Sequence, residues 1–347
     1  MTKINFIFLI AITLLAISCG DRKKAEKERV IWLKNNTLQI GVLNKVGGRL
    51  VFFGPANGIN LLKQDTGLWN KPDSLIERPN AFTDFKPYYG MITWLGPQSE
   101  WWKHQDINKA RHDSAAVWPP DPYIIYGEYK VSEKSDSSLT IVGPKSPVSG
   151  IQLTKKFVLS GNSLKILVIA KNISDTIQSW DLWSNSRFNS YGKYAVPCSG
   201  KGLLRISSTD MGQKEKMDYT VEDGIFSFVP KKISEGKTQQ SGKAFIYPEA
   251  GNLLYIGNEY LLKISFEKVP SEKIHPEQAL VEVFQSISNA GGDDLLELEH
   301  HSAYTTLKPG ESFQLDETWM LLNTSDFPDQ QAIKDLVYKE ENNIIYK

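Results

Sequence analysis

From Val30 onward, short runs of alternating apolar and polar residues recur along the chain, each closed by Gly, Asn, Asp, Ser or Pro. This period-two pattern belongs to half-buried strands, and the closing residues are those of tight turns. The clearest pair is IQLTKKFVLS and SLKILVIAKNIS, joined by Gly161-Asn162, which reads as a two-residue hairpin. TLQIGVL, RLVFFG, NLLYIG, YLLKISFEKV, ALVEVFQSI, DLLELEHH and SFQLDETWMLL repeat the pattern. Helical periodicity of useful length comes only at DQQAIKDLVYKEENN, where Ile333, Leu336 and Val337 share one stripe. The expected fold is all-β: a large antiparallel sandwich of roughly 15 or more strands, followed by a short C-terminal helix.

The N-terminus follows a different logic. Met1-Thr2-Lys3 precedes the apolar stretch INFIFLIAITLLAIS, which runs directly into Cys19 and is too short to span a bilayer. AISCG resembles a bacterial lipobox, so residues 1–18 read as a signal peptide and Cys19 as the lipidated residue, with 19–29 a charged tether. The folded domain is then expected over 30–325, with a helix and tail over 326–347. That architecture implies a protein of the bacterial cell envelope, at the periplasmic or outer-membrane surface, held to the membrane by its N-terminal lipid; a monomer is expected. Cys198 is the only other cysteine, so stability must come from a core and not from an intramolecular disulfide. The 15 Phe, 14 Tyr and 9 Trp supply one. With 40 basic and 40 acidic residues and no basic stripe beyond the tether, nucleic acid is not an expected partner.

The segment from Pro72 to Tyr123 breaks the strand pattern and is rich in Trp, Tyr, Pro, Asp and His. A long aromatic insertion in a compact domain suits the wall of a binding site. Trp101, Trp102 and Trp118 lie among polar residues and prolines, and indole rings stack on the C–H faces of sugars. Packing of the insertion on its own sheet is the alternative. Asp121, held between prolines in WPPDP, serves a functional carboxylate or an Asx turn equally well. Arg49, after a Gly-Gly turn, is a candidate anchor for a sugar hydroxyl or carboxylate, or an exposed strand-end arginine. His104 and His112 with Asp106 and Asp113 match no zinc-ligand spacing, so neither metal nor other cofactor is expected.

The other candidate cluster is LELEHHS. Alternation sends Leu296, Leu298 and His300 to one face and Glu297, Glu299 and His301 to the other. The second face is either a site or the wet side of a sheet.

VGGRLVFFGPANGINLL, KKFVLSGNSLKILVIAKNIS and LELEHHSAYTTLKPGESFQLDETW together resemble the galactose-mutarotase-like superfamily of β-supersandwich proteins over residues 30 to 323. GPQSEWW and WPPDPY look more like an uncharacterised bacterial lipoprotein domain family within it than like the aldose 1-epimerases. The resemblance implies a carbohydrate site on the concave face of one sheet. It also implies that the glutamate before the Pro309-Gly310-Glu311 turn is a general base, here Glu299, with Glu297 the alternative. Epimerases carry a histidine acid on a central strand, but WDLWSNSRFN has none; Asn185 and Arg187 stand near that position, and His104 or His301 are the candidate replacements. Three functions follow from the resemblance: a sugar-binding protein with aldose 1-epimerase-like activity, a non-catalytic glycan-binding module, or a polysaccharide hydrolase or lyase.

Overall fold

A computed structural model describes residues 29–71, 75–189, 192–208, 210–212, 214–228, 233–289 and 294–339. Two large sheets, of eleven and ten strands, contain nearly all the regular structure. The larger runs in the order Ile31–Lys34, Leu38–Leu43, Arg49–Pro55, Met91–Gly96, Gln178–Phe188, Leu295–His301, Val281–Ser288, Gln239–Ile246 and Leu203–Ser208. The short strand Lys214–Lys216 adds to Gln239–Ile246 in parallel, and every other described pairing is antiparallel. The second sheet centres on Ser163–Asn172, Ser312–Asn323 and Tyr260–Phe266.

The Gly161-Asn162 hairpin forms as expected. Ile151–Ser160 and Ser163–Asn172 pair along their whole length to Ser160 opposite Ser163, with Gly161 at φ 56°. A two-residue loop that begins with a left-handed Gly matches the twist of the strands it joins. The inward residues of both sheets pack as one core, in which Trp319 meets Phe53 edge-on at 5.1 Å and Phe188 stacks on Tyr255 at 4.6 Å.

The C-terminal helix is Gln330–Tyr338, capped by Asp329, whose side chain accepts from the Ala332 N–H. Ile333 and Val337 are buried, and they form a second apolar cluster with Ala195, Ile225, Leu254 and Leu261 of the smaller sheet.

The 72–123 segment differs from expectation in one respect. Met91–Gly96 is a strand in the middle of the larger sheet, paired with Gln178–Phe188. All six of its residues are buried, so both faces need apolar or small side chains and no alternation marks it.

Candidate active site

The site lies on the outer face of the larger sheet, where three neighbouring strands bring charged residues side by side. Leu295–His301 pairs with Gln178–Phe188 so that Glu297 faces Arg187, Glu299 faces Asn185 and His301 faces Trp183. On its other side it pairs with Val281–Ser288, setting Glu299 beside Glu282 and Glu297 beside Phe284. One strand further, Lys243 lies opposite Phe284 and Phe245 opposite Glu282. The alternation inferred for LELEHHS therefore holds, but the polar face is not wet: Glu299 is 0% and His301 1% exposed.

Buried charges persist only when paired. Lys243 Nζ lies 2.5 Å from Glu282 Oε2 and 2.7 Å from Glu299 Oε2. The Asn185 side-chain amide donates to Glu299 Oε1, and Arg187 Nε donates to Glu297 Oε1 at 2.7 Å. Burial pushes the Glu299 carboxyl up to about 7, with Lys243 opposing and Glu297 and Glu282 reinforcing the rise. Loss of hydration on burial dominates, and the one Lys243 ammonium, shared with Glu282, offsets only part of it. Burial pulls the Lys243 ammonium down, but its two carboxylate partners outweigh that and raise it, so Lys243 stays charged.

His301 is held from the neighbouring central strand. Its Nδ1 lies 3.0 Å from Asp181 Oδ1 and 3.0 Å from the Gln278 amide nitrogen, and its Nε2 lies 3.5 Å from Glu282 Oε1. A protonated imidazole donates Nδ1–H to Asp181 and leaves Nε2–H facing Glu282. Burial alone lowers its proton affinity, yet the hydrogen bond and charge of Asp181, with Glu282 and Glu299, raise it overall. Gly96, the strand partner of Asp181, makes this packing feasible: a Cβ there would lie 2.3 Å from the Gln278 amide and 2.5 Å from Asp181 Oδ2. His300 points the other way, into the sandwich, 3.5 Å from Glu317 and stacked on Phe266 at 4.4 Å.

Tryptophans roof the cluster. Trp183 packs against Trp94 at 5.1 Å, Trp101 at 6.2 Å and His301 at 5.0 Å, and Lys243 Nζ lies 4.7 Å from its ring centre. Trp118 closes the outer edge against Trp94, Trp101 and Phe85, and remains 47% exposed. The aromatic insertion thus forms a wall over the charged face.

Of the residues singled out from the sequence, Glu297, Glu299, His301, Asn185, Arg187, Trp101 and Trp118 come together here. Four do not. Trp102 is fully buried, donates its indole N–H to Pro119 O and carries the Arg111 guanidinium at 4.5 Å, which makes it a core residue. Asp121 caps the helix Pro122–Tyr126 and accepts from the Tyr123 N–H and Ser146 Oγ, the Asx-type role. Arg49 is buried and donates to the Tyr89 and Ile125 carbonyls, so it ties loops together. His104 pairs with Glu100 at 2.9 Å and packs on Trp180, which belongs to the inward face of its strand. Lys243, Glu282, Asp181, Gln278, Trp94 and Trp183 were not singled out. Lys243 and Glu282 had one signal, a charge at an outward position of an apolar strand, but only the register shows what they meet. Among the described residues no cluster of His, Cys, Asp and Glu has the arrangement of a metal site.

The two-sheet supersandwich, antiparallel but for one short strand, has the galactose mutarotase-like fold. Solved structures bear this out at the level of the fold. A candidate aldose 1-epimerase from Klebsiella pneumoniae aligns with a TM-score of 0.54 at 13% identity, over 90% of this chain and 85% of its own. Galactose mutarotase-like proteins from Clostridium acetobutylicum and Lactobacillus casei align with TM-scores of 0.51 and 0.50, at 14% and 12% identity. They cover 85% and 84% of this chain, and 95% and 100% of their own. No match was found among curated proteins. The chain belongs to the family described as domain of unknown function DUF4380, whose model matches residues 28–322.

Proposed function

We propose that the protein binds carbohydrate on the outer face of its larger sheet and transfers protons at the anomeric centre, as an aldose 1-epimerase does. One observation carries this reading: Glu299 and His301, two positions apart on one strand face, form a base and an acid with opposite supports. Glu299, raised to about 7, accepts the proton of the anomeric hydroxyl. As the C1=O1 bond forms, the C1–O5 bond breaks, and His301, kept protonated by Asp181, delivers its proton to the ring oxygen. Rotation about C1–C2 and the reverse steps give the other anomer. In this scheme His301 takes over the work of the absent central-strand histidine, because Asp181 on that strand reaches across to hold it.

A non-catalytic glycan-binding protein is the second reading, favoured by the engagement of both Glu299 oxygens, one by Asn185 and one by Lys243. Polarimetry or exchange NMR on a panel of aldoses separates the two. Anomer exchange that falls ~10²-fold or more in Glu299→Gln and His301→Asn, with binding kept, supports the enzyme. Binding without exchange in the wild type supports the module, and unchanged binding and exchange in both variants would overturn the site. A two-carboxylate hydrolase is poorly served, because Glu297 and Glu299 project from one strand to one side and do not flank a bond.

The location follows from residues 1–28, which lie outside the described residues. The lipobox-like AISCG supports Cys19 as a lipid anchor, with the sandwich displayed at the envelope on a charged tether.

A further inference from the structure

Building on the carbohydrate reading, we infer that the site has a second sugar subsite on Phe284, so that its ligand is a glycan of two or more residues. Two rows of side chains cross the strands on the outer face. One runs Asn185, Glu299, Glu282, Phe245 and Arg205, and the other runs Arg187, Glu297, Phe284, Lys243 and Ser207. At ~4.8 Å per strand, Phe245 stands roughly 10 Å from the Glu299 position, more than one sugar ring away.

Burial changes steadily along these rows. Asn185 and Glu299 are 0% exposed and Glu282 2%, whereas Phe284 and Phe245 are half-buried and Arg205 is exposed. The floor therefore emerges from beneath the tryptophans at Phe284. There Phe284 stands in register between Glu297, whose carboxylate is held by Arg187, and Lys243, whose side chain reaches past it to Glu282 and Glu299. This suits a pyranose: a ring face for its C–H side, with polar side chains on the two flanking strands. Among the described residues no ring or cation stacks on Phe284, whereas Arg205 covers Phe245 at 3.7 Å and makes the outer wall.

The deep end points independently to a ligand. Asp181 Oδ2, Trp183 Nε1 and Asn185 Oδ1 are buried without hydrogen-bond partners, on residues at most 4% exposed. Such atoms cost stability unless something pairs with them. Unpaired polar groups at the deep end and an open aromatic platform at the shallow end suit a chain whose terminal sugar enters beneath the tryptophans while the next residue rests on Phe284.

The test is an array of mono- and oligosaccharides of the same sugars, probed with the full-length protein and with Phe284→Ala and Phe284→Leu. Expected is an affinity about tenfold higher for oligosaccharides than for the matched monosaccharide, the scale of one aromatic contact. That gain should vanish in Phe284→Ala while monosaccharide binding stays within about twofold. Phe284→Leu keeps apolar volume but loses the ring face, so it should behave alike and decides the matter if the alanine variant does not fold. Equal affinity for all lengths in the wild type, or a length gain that survives in a folded Phe284 variant, overturns the subsite and leaves the single-sugar reading intact. An array with no bound sugar of any length overturns both.

Discussion

Lys243 reaches across the intervening strand Val281–Ser288 to lie 2.7 Å from Glu299 Oε2, and without it the candidate base would be a buried carboxylate with only an amide to face. The same ammonium holds Glu282 at 2.5 Å. Replacing Lys243 by Met should therefore cost ~3–5 kcal/mol, the usual penalty for stranding buried charge. Adding Glu299→Gln should restore part of that loss. Urea unfolding of the two singles and the double measures the coupling, and additive losses would mean that the pair is not energetically linked.

Asp181→Asn should lower the His301 proton affinity, because the substitution keeps a hydrogen-bond acceptor but removes the charge. A histidine raised in the fold contributes stability that is complete below its unfolded value and is lost as pH rises through its folded value. The wild type should show that loss above pH ~6.5, and Asp181→Asn should shift it to lower pH. NMR titration of the imidazole reads the change directly; an unmoved titration would detach Asp181 from His301.

Inside the sandwich, burial raises the Glu317 carboxyl to about 7, opposed by hydrogen bonds from Trp319 and Ser184 and by the charge of Lys155. The folded protein thus keeps a proton that the unfolded chain releases from pH ~4.5, and this contribution, on the order of 3 kcal/mol, disappears as pH climbs to 7. His300 acts in the opposite sense: burial lowers it to about 3, so its contribution is lost as pH falls below ~6.5. Glu317→Gln should flatten the decline in stability between pH 5 and 8. Parallel wild-type and variant curves over that range would contradict the assignment.

Trp102 and Trp118 should respond very differently to truncation. Trp102→Ala removes a fully buried indole and its hydrogen bond to Pro119 O, with an expected loss of ~3–5 kcal/mol. Trp118→Ala opens the half-exposed edge of the roof and should cost ~1 kcal/mol or less. Thermal denaturation gives the ordering, and a Trp118 variant as unstable as the Trp102 variant would place Trp118 in the core.

Labelled palmitate should enter the wild type and not Cys19→Ala. Equal incorporation in both would remove the lipid anchor from the proposal.

The sequence by itself determined what depends on neighbouring residues. Period-two alternation is a property of the extended backbone, so it placed Glu297, Glu299 and His301 on one face and turned His300 inward. For the same reason the strands, the Gly161 turn and the helix stripe of Ile333 and Val337 were legible. Tertiary structure alone decided which strands lie side by side and in what register, because pairing depends on contacts between residues far apart in the chain. Lys243, Glu282 and Asp181 join Glu299 and His301 only through that register. Trp101 and Trp102 lie in a turn, where no strand periodicity assigns faces, so only the packing shows that Trp101 roofs the site while Trp102 fills the core. Burial, too, was decided there. The polar face of LELEHHS resembles any solvated sheet until the tryptophans of a loop nearly 200 positions earlier close over it.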